Sequence, residues 1–489
     1  MPGVAIGSRN AVNRIGKRSP LVVAAVYTVL AACFVPAYVT DPKLGLFWLF
    51  AAVAITPVGL RLDLGSPGSL FCIAWFGALA VAQLKLTSWE QDLSPLTWTI
   101  VLLGPLVFFV GCWFAQLMLK SVRPNSTHTL ELKSNWDLRK VLWFLGLLLL
   151  SSVAAFLYQF SVLGGVPMWK ILQGGDPIVR FEKLNSYLNR LSLSMYDVAT
   201  ISGLVLLVWT KREEYWGRVA RPVLWGLFLL PLILSVTSGG RYYATEVLTI
   251  VAFAWLWLRG LRLKTAVLAI LVVFAGLSVF GYVREMLQLE YTKYWSPLFS
   301  KQVTWIPIPD WLLPGYTYIV IPFTTLEVLA NSIIPKTGYW WGWHTFYPVT
   351  VFFGAQGLPN TIWDHRFVFN TPTMFGTWFA DFGLLGVFFF AFATGLASTL
   401  LYRSLIQRPT AFKLYCYSSV MCALAFCWFT NAFANFHFPW GIGVFFVFDM
   451  LTRRSGPLAA PVPPSRLPAQ DRVAWSFRFA ARARGVRLR

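Results

Sequence analysis

Apolar runs that carry almost no charge decide what this chain can fold into. LVLLVWT at 204–210 and VFFFAFATGLASTLL at 387–401 are two of many, and about 20 such residues cross a hydrocarbon core of roughly 30 Å as a helix. Inside lipid every backbone N–H and C=O needs an internal partner, which leaves helices and closed barrels. Barrel strands alternate apolar and polar residues over segments of about ten residues; these runs are continuous. The 489 residues are 57% hydrophobic and 12% charged, with a mean hydropathy of +0.61. The expected fold is an all-α polytopic membrane protein.

Twelve runs supply the expected spans, at about 21–38, 44–60, 68–84, 95–119, 140–163, 196–210, 222–237, 243–258, 265–283, 373–402, 411–430 and 438–452. Positive charge holds short loops on the cytoplasmic side. The connection at 120–140 carries Lys120, Arg123, Lys133, Arg139 and Lys140, and two later clusters, Lys211, Arg212, Arg218 and Arg221, then Arg259, Arg262 and Lys264, fall on the same side by alternation. On that side the sequon at Asn125 is a chance match. The basic N-terminus, 1–20, precedes a first helix that lacks a clean cleavage site and reads as retained. The tail at 453–489 is basic and Pro-rich, a flexible cytoplasmic extension whose Trp475 and Phe477 suit the inner leaflet.

Between the fifth and sixth spans, 163–195 reads as an amphipathic segment on the outer side. Its Lys170, Arg180, Lys183 and Arg190 run against the charge rule, which an anionic ligand explains and a helix lying on anionic lipid explains as well. The run at 315–334 is apolar enough to cross but holds Glu327, Thr324, Thr325 and Pro322. Treated as non-crossing or re-entrant, it leaves nine spans in 21–283, one large periplasmic loop at 284–372, three spans in 373–452 and both termini cytoplasmic. Treated as a crossing, it moves the polar residues that follow into the cytoplasm.

A formal net charge of +21 raises nucleic acid as a partner, but the excess sits in short loops and the tail, where membrane lipids account for it, and no nucleic-acid fold fits. All six cysteines fall in apolar runs without a CxxC pair and read as packing residues.

The stretch from Arg284 to Gly386 resists division into spans and mixes aromatics, Asn, Thr, His, Arg and acids, as a sugar-facing site does. Tyr316 and Trp343 are its candidate sugar contacts. Arg241 and Arg284 each end an apolar run on the outer side, where a guanidinium needs an anion. A diphosphate suits that fork of donors, with Arg180 and Arg190 as further ligands and the amides of Gly239 and Gly240 free to approach. Ion pairs with Glu246 or Glu285 are the structural alternative. For proton chemistry the loop offers His344, Glu327, Asp364 and His365, and Asp381 lies inside a span, where an acid is expensive. Trp341, Trp343 and Phe346 flank His344. Three outer histidines, His344, His365 and His437, show no metal-ligand spacing, and neither HExxH nor a Walker loop occurs. No metal or cofactor is expected, so the donor arrives already activated on a lipid.

At SGGRYY (238–243), GYVREM (281–286) and NTPTMFGTWFADFGLLG (370–386) the chain resembles the O-antigen and exopolysaccharide repeat-unit polymerases of the Wzy type, across most of the membrane region. The resemblance implies a metal-independent enzyme of the bacterial inner membrane, related to the O-antigen ligases and GT-C glycosyltransferases. Such an enzyme takes undecaprenyl-diphosphate-linked oligosaccharide as donor and acceptor at the periplasmic face, with a chain-length regulator as an open further partner. It implies that Arg241 and Arg284 hold the lipid diphosphate and that Asn370, Thr371 and Asp381 form a polar, sugar-facing stretch. No Gly follows Arg180 at the RX10G interval some members show, and the match around His344 is approximate, so the catalytic base stays open among His344, Asp381 and Glu327. Two other readings are an O-antigen-type ligase with the same donor and a flippase of lipid-linked oligosaccharides; a transporter's internal repeat is not found.

Overall fold

The computed structural model describes residues 39–60, 62–87, 90–118, 136–162, 186–209, 215–238, 241–259, 309–350, 371–435 and 437–453. Among them the fold is all-helical, with an isolated strand-like bridge between Trp136 and Arg453. The helices are α1 (Pro42–Gly59), α2 (Pro67–Ala82), α3 (Pro95–Met118), α4 (Leu138–Val162), α5 (Ser186–Trp209), α6 (Tyr215–Ser238), α7 (Arg241–Arg259), α8 (Leu313–Val328), α9 (Thr373–Gln407), α10 (Ala411–Ala425) and α11 (His437–Thr452). Six helical segments are long and apolar enough to cross a membrane: Pro42–Gly59, Pro95–Met118, Leu138–Val162, Leu191–Val208, Gly315–Thr337 and Thr373–Gln407. The expected spans at 21–38 and 265–283 lie outside the described residues, as do 163–185 of the amphipathic segment and the tail from 454, while 186–195 form the first turns of α5.

Local chemistry sets several boundaries. Pro42, Pro67 and Pro95 open α1, α2 and α3, where the missing N–H is harmless. Asp41, Ser66 and Ser94 cap the next free N–H groups, Asp41 accepting from Lys43 N (2.9 Å), Ser66 from Ser69 N (3.3 Å) and Ser94 from Thr97 N (3.3 Å).

Two opposite ends of the bundle can be told apart. At one, Tyr402 near the end of α9 donates to Asp63 in the α1–α2 turn, Tyr417 of α10 donates to Gly65 O (2.6 Å), and Trp257 near the end of α7 packs on both tyrosine rings. Gly383 lies 19 residues before Tyr402 and Arg241 lies 16 before Trp257, about 28 and 24 Å along a helix. Gly383 and the start of α7 therefore share the other end. The α2–α3 connection lies there too, because α2 starts beside Asp63 and runs away from it.

The expected single span at 373–402 is two limbs. Gly383 has φ +66° and ψ −153° inside α9, and the limbs fold back on each other. A Cβ on Gly386 would lie 2.5 Å from the carbonyl oxygen of Trp378, whereas eight residues of straight helix span about 12 Å. Trp378 also stacks on Phe390 at 5.9 Å. Beyond the break, α9 packs against α3 backbone to backbone: Cβ atoms on Gly395 and Gly111 would lie 2.1 Å from Phe108 O and 2.3 Å from Phe392 O. Small residues permit this approach between membrane helices. Phe71, Trp75, Phe108, Phe323 and Phe375 fill the core beside that seam.

The run at 315–334 is helical, with α8 passing through a π-turn at Leu329–Ile333 into Ile334–Thr337. Tyr316 is tied to the α2–α3 connection, and so is Glu327, three turns later. Both points of this helix are held at the Gly383 end.

Candidate functional site

The turn after α8 carries the first site. Residues 338–346 reverse tightly, with Gly338, Trp341 and Gly342 all at positive φ, and dock into the gap left by the break in α9. Trp340 N donates to Ala380 O (3.0 Å) and Trp341 N to Asp381 O (3.1 Å). The Asp381 carboxylate, fully buried, accepts from His344 N (3.2 Å) and Thr345 N (2.5 Å). His344 stacks against Trp340 at 4.5 Å, its Nε2 is buried without a hydrogen-bond partner among the described residues, and so is Thr345 Oγ1. Burial holds the imidazole down to about 4, against the pull of the Asp381 carboxylate, so it is neutral at pH 7.

His344 and Asp381, 37 residues apart, are thus one unit. Its aromatic wall is Trp340; Trp341, named from sequence as a flanking ring, is 79% exposed. Trp343 is half-buried, and its N–H donates to Trp340 O (3.2 Å).

Glu327 stands apart from that unit. Its Oε2 accepts from Ser94 N (2.9 Å), its Oε1 from Asn331 Nδ2 (2.9 Å), and Asn331 also reaches Ser94 Oγ (2.8 Å). Both oxygens are engaged, and the residue braces the π-turn against the start of α3. Tyr316 is likewise consumed: its hydroxyl accepts from Leu86 N (3.0 Å) and donates to Glu90 (2.8 Å), whose Oε1 also accepts from Thr87 N (2.9 Å). With 4% of its surface exposed, Tyr316 is a cross-brace and has no hydroxyl left for a sugar. Glu90 is held above the usual carboxylate range by burial, opposed by its bonds to Thr87 and Tyr316.

A second polar cluster lies among α5, α7, α10 and α11. The His437 ring places Nδ1 3.2 Å from Glu246 Oε2 and Nε2 3.5 Å from Asp197 Oδ1. The carbonyl of Leu193 also accepts from the ring. Tyr243 stacks on Tyr196 at 5.1 Å and meets the His437 ring in a T-shaped contact at 5.4 Å. A Cβ on Gly441 would lie 2.5 Å from the Tyr415 hydroxyl and 2.9 Å from Asp197 Oδ1, so that glycine makes room for both. Sequence reading left Asp197 unmarked and treated Glu246 only as an ion-pair partner for Arg241. The signal was present, since an acid inside an apolar run is costly.

Arg241 is the first residue of α7 and Glu246 follows five residues later, about 7.5 Å along the axis. Arg190 lies in the first turns of α5. The side chains of both arginines lie outside the description, and so do Arg180, Gly239, Gly240, Arg284 and Asn370; Thr371 precedes α9, half-buried. No group of three or more metal-ligating side chains able to hold an ion occurs among the described residues. No family model, curated protein or solved structure matches the chain.

Proposed function

We propose that this membrane protein is a polysaccharide polymerase, transferring a glycan from a lipid diphosphate to a sugar hydroxyl of the next lipid-linked repeat unit. In this reading the Gly383 end of the bundle faces the periplasm, the Tyr402 end faces the cytoplasm, and Gly315–Thr337 stays on the outer side as one of the non-crossing elements of a twelve-span protein. The observation that carries it is the His344–Asp381 unit. A neutral imidazole with a ring nitrogen unclaimed by the described residues is immobilised against an indole at the end of the bundle where α7 begins with Arg241. A neutral imidazole can take the acceptor's proton, an indole suits a sugar face, and an arginine at the same end suits the diphosphate. Thr371, half-buried, stands two residues before α9.

The test is incubation of the purified protein with a lipid-diphosphate oligosaccharide. A ladder of glycan lengths is expected, reduced on the order of a hundredfold by Arg241→Ala or Arg284→Ala and partly restored by Arg→Lys. Well-folded arginine variants that polymerise at the wild-type rate would make those residues structural, and a wild-type protein that forms no ladder refutes the polymerase. A ligase would use the same donor but extend a different acceptor by a single transfer. A flippase is favoured by one observation, the carboxylates buried among membrane helices near His437, and predicts movement of the lipid-linked sugar without bond formation.

A further inference from the structure

Asp197, His437 and Glu246 have no part in the site just proposed, yet their arrangement is costly. Asp197 is 1% and His437 4% exposed, on helices that otherwise bury Tyr196, Val247 and Phe445. Charged or dipolar groups in such surroundings persist when they are fully paired or when they work. Here the pairing is incomplete. Among the described residues neither oxygen of Asp197 has a hydrogen-bond partner, nor does His437 Nε2, and the Nε2–Oδ1 separation of 3.5 Å is a few tenths of an ångström beyond a hydrogen bond. At the other nitrogen, Nδ1 lies 3.2 Å from Glu246 Oε2, which likewise has no hydrogen-bond partner among the described residues. The imidazole therefore lies between two carboxylates from different helices and is hydrogen-bonded to neither.

We propose that Asp197, His437 and Glu246 form a proton relay. Imidazole suits this role because it can accept a proton at one nitrogen while releasing one from the other. The unpartnered Asp197 Oδ2 is the entry, Nε2 receives the proton when α5 and α11 close by a few tenths of an ångström, and Nδ1 passes one to Glu246. The other groups packed against the ring, Tyr196, Tyr243 and the Leu193 carbonyl, do not need to change charge. For its proton source the relay rests on the polymerase reading. In that transfer the acceptor's O–H bond breaks as its oxygen bonds the anomeric carbon. The bond from that carbon to the diphosphate oxygen breaks, the diphosphate leaves with the electron pair, and the hydroxyl proton, taken first by His344, is handed on to Asp197 and released from Glu246 to water at the start of α7.

The resting protein and the turning-over protein test the relay separately. The full-length protein in nanodiscs, labelled with ¹⁵N-histidine and free of substrate, contains four histidines, and His437→Gln identifies the signal. A relay shows the ring proton exchanging between Nδ1 and Nε2, and Asp197→Asn abolishes that exchange. A single fixed tautomer, unaltered by Asp197→Asn, overturns the relay whatever the protein's substrate. In turnover, His437→Gln keeps polar atoms toward both carboxylates but cannot pass a proton. It is expected to lower kcat for ladder formation at least about 100-fold with donor KM unchanged and to diminish the solvent deuterium effect. If His437→Gln is folded and polymerises at the wild-type rate, the relay falls and the polymerase stands; if wild type forms no ladder, the polymerase falls and the spectrum decides the relay.

Discussion

Replacing Asp381 with Ala removes the acceptor for two N–H groups at once and should free the 338–346 turn while leaving the bundle intact. Among the described residues His344 N and Thr345 N have no other acceptor than the two carboxylate oxygens, at 3.2 and 2.5 Å. A hydrogen bond to a charged group contributes about 1.5–3 kcal/mol. Two of them sum to about 3–6 kcal/mol, and the lower end applies because the released turn can reach solvent. At about 1.4 kcal/mol per factor of ten, 3 kcal/mol corresponds to a rise in local opening of roughly a hundredfold. Hydrogen exchange measured by mass spectrometry reads this in peptides covering 339–347, with peptides from α2 and α3 as internal references. Asp381→Asn keeps one acceptor oxygen and should give a smaller rise, about tenfold. If Asp381→Ala leaves exchange of the turn unchanged, the carboxylate does not hold the turn and the geometric case for a His344–Asp381 unit collapses.

Acidification should loosen the same turn. The His344 imidazole sits at about 4 in the folded protein and near 6.5 when unfolded, so the unfolded state binds the extra proton between those values. The stabilisation is complete above about pH 6.5 and is lost as pH falls toward 4, by about 3 kcal/mol in all; a flat pH profile in wild type, or the same slope in His344→Gln, would contradict it. Gly395→Ala forces a methyl against Phe108 O where only 2.1 Å is available, and should lower the thermal midpoint in detergent through a cost of about 1–3 kcal/mol; an unchanged midpoint would show that α3 and α9 can separate freely. Cysteines placed at Ser300 and Asn360 in a Cys-free background should react with an impermeant thiol reagent from the periplasmic side, and labelling only after the inner membrane is opened would reverse the orientation.

The helices were legible because their signals are local. Apolar runs mark α1 to α4 and α7 to within two residues, while α5 and α6 begin ten and seven residues before the expected runs at 196 and 222, and Asp41-Pro42, Ser66-Pro67 and Ser94-Pro95 mark three starts. What the sequence hides is pairing across distance. Asp197 and His437 are 240 residues apart, and nothing near either one names the other. Tyr316 looked available for a sugar because its partner, Glu90, lies 226 residues away. The break in α9 was hidden for another reason: FADFGLLG has the composition of a continuous span, and Gly383 differs from Gly395 only in its backbone angle, +66° at a reversal against an ordinary helix that another helix approaches closely.

That reversal also explains why the polar chemistry collects where it does. In an unbroken helix the carbonyls of Ala380 and Asp381 would accept from residues 384 and 385. The break frees them, and in lipid a freed carbonyl is costly. The turn at 338–346 supplies the missing donors from Trp340 and Trp341, and the Asp381 side chain takes two more from His344 and Thr345. At the start of the same helix, Met374 N is satisfied by Cys427 O, just beyond α10, and Thr377 is bonded by Asn431 (2.8 Å) in the irregular stretch before His437. The requirement that backbone groups be paired thus ties the α8–α9 connection to the first limb of α9, and that limb to the α10–α11 connection. The first of these connections carries His344, buried against Asp381, and the second leads into His437, the first residue of α11, buried against Asp197 and Glu246. Straight spans could not have done this, since their backbone is already satisfied and leaves no reason for a polar loop to enter the bundle.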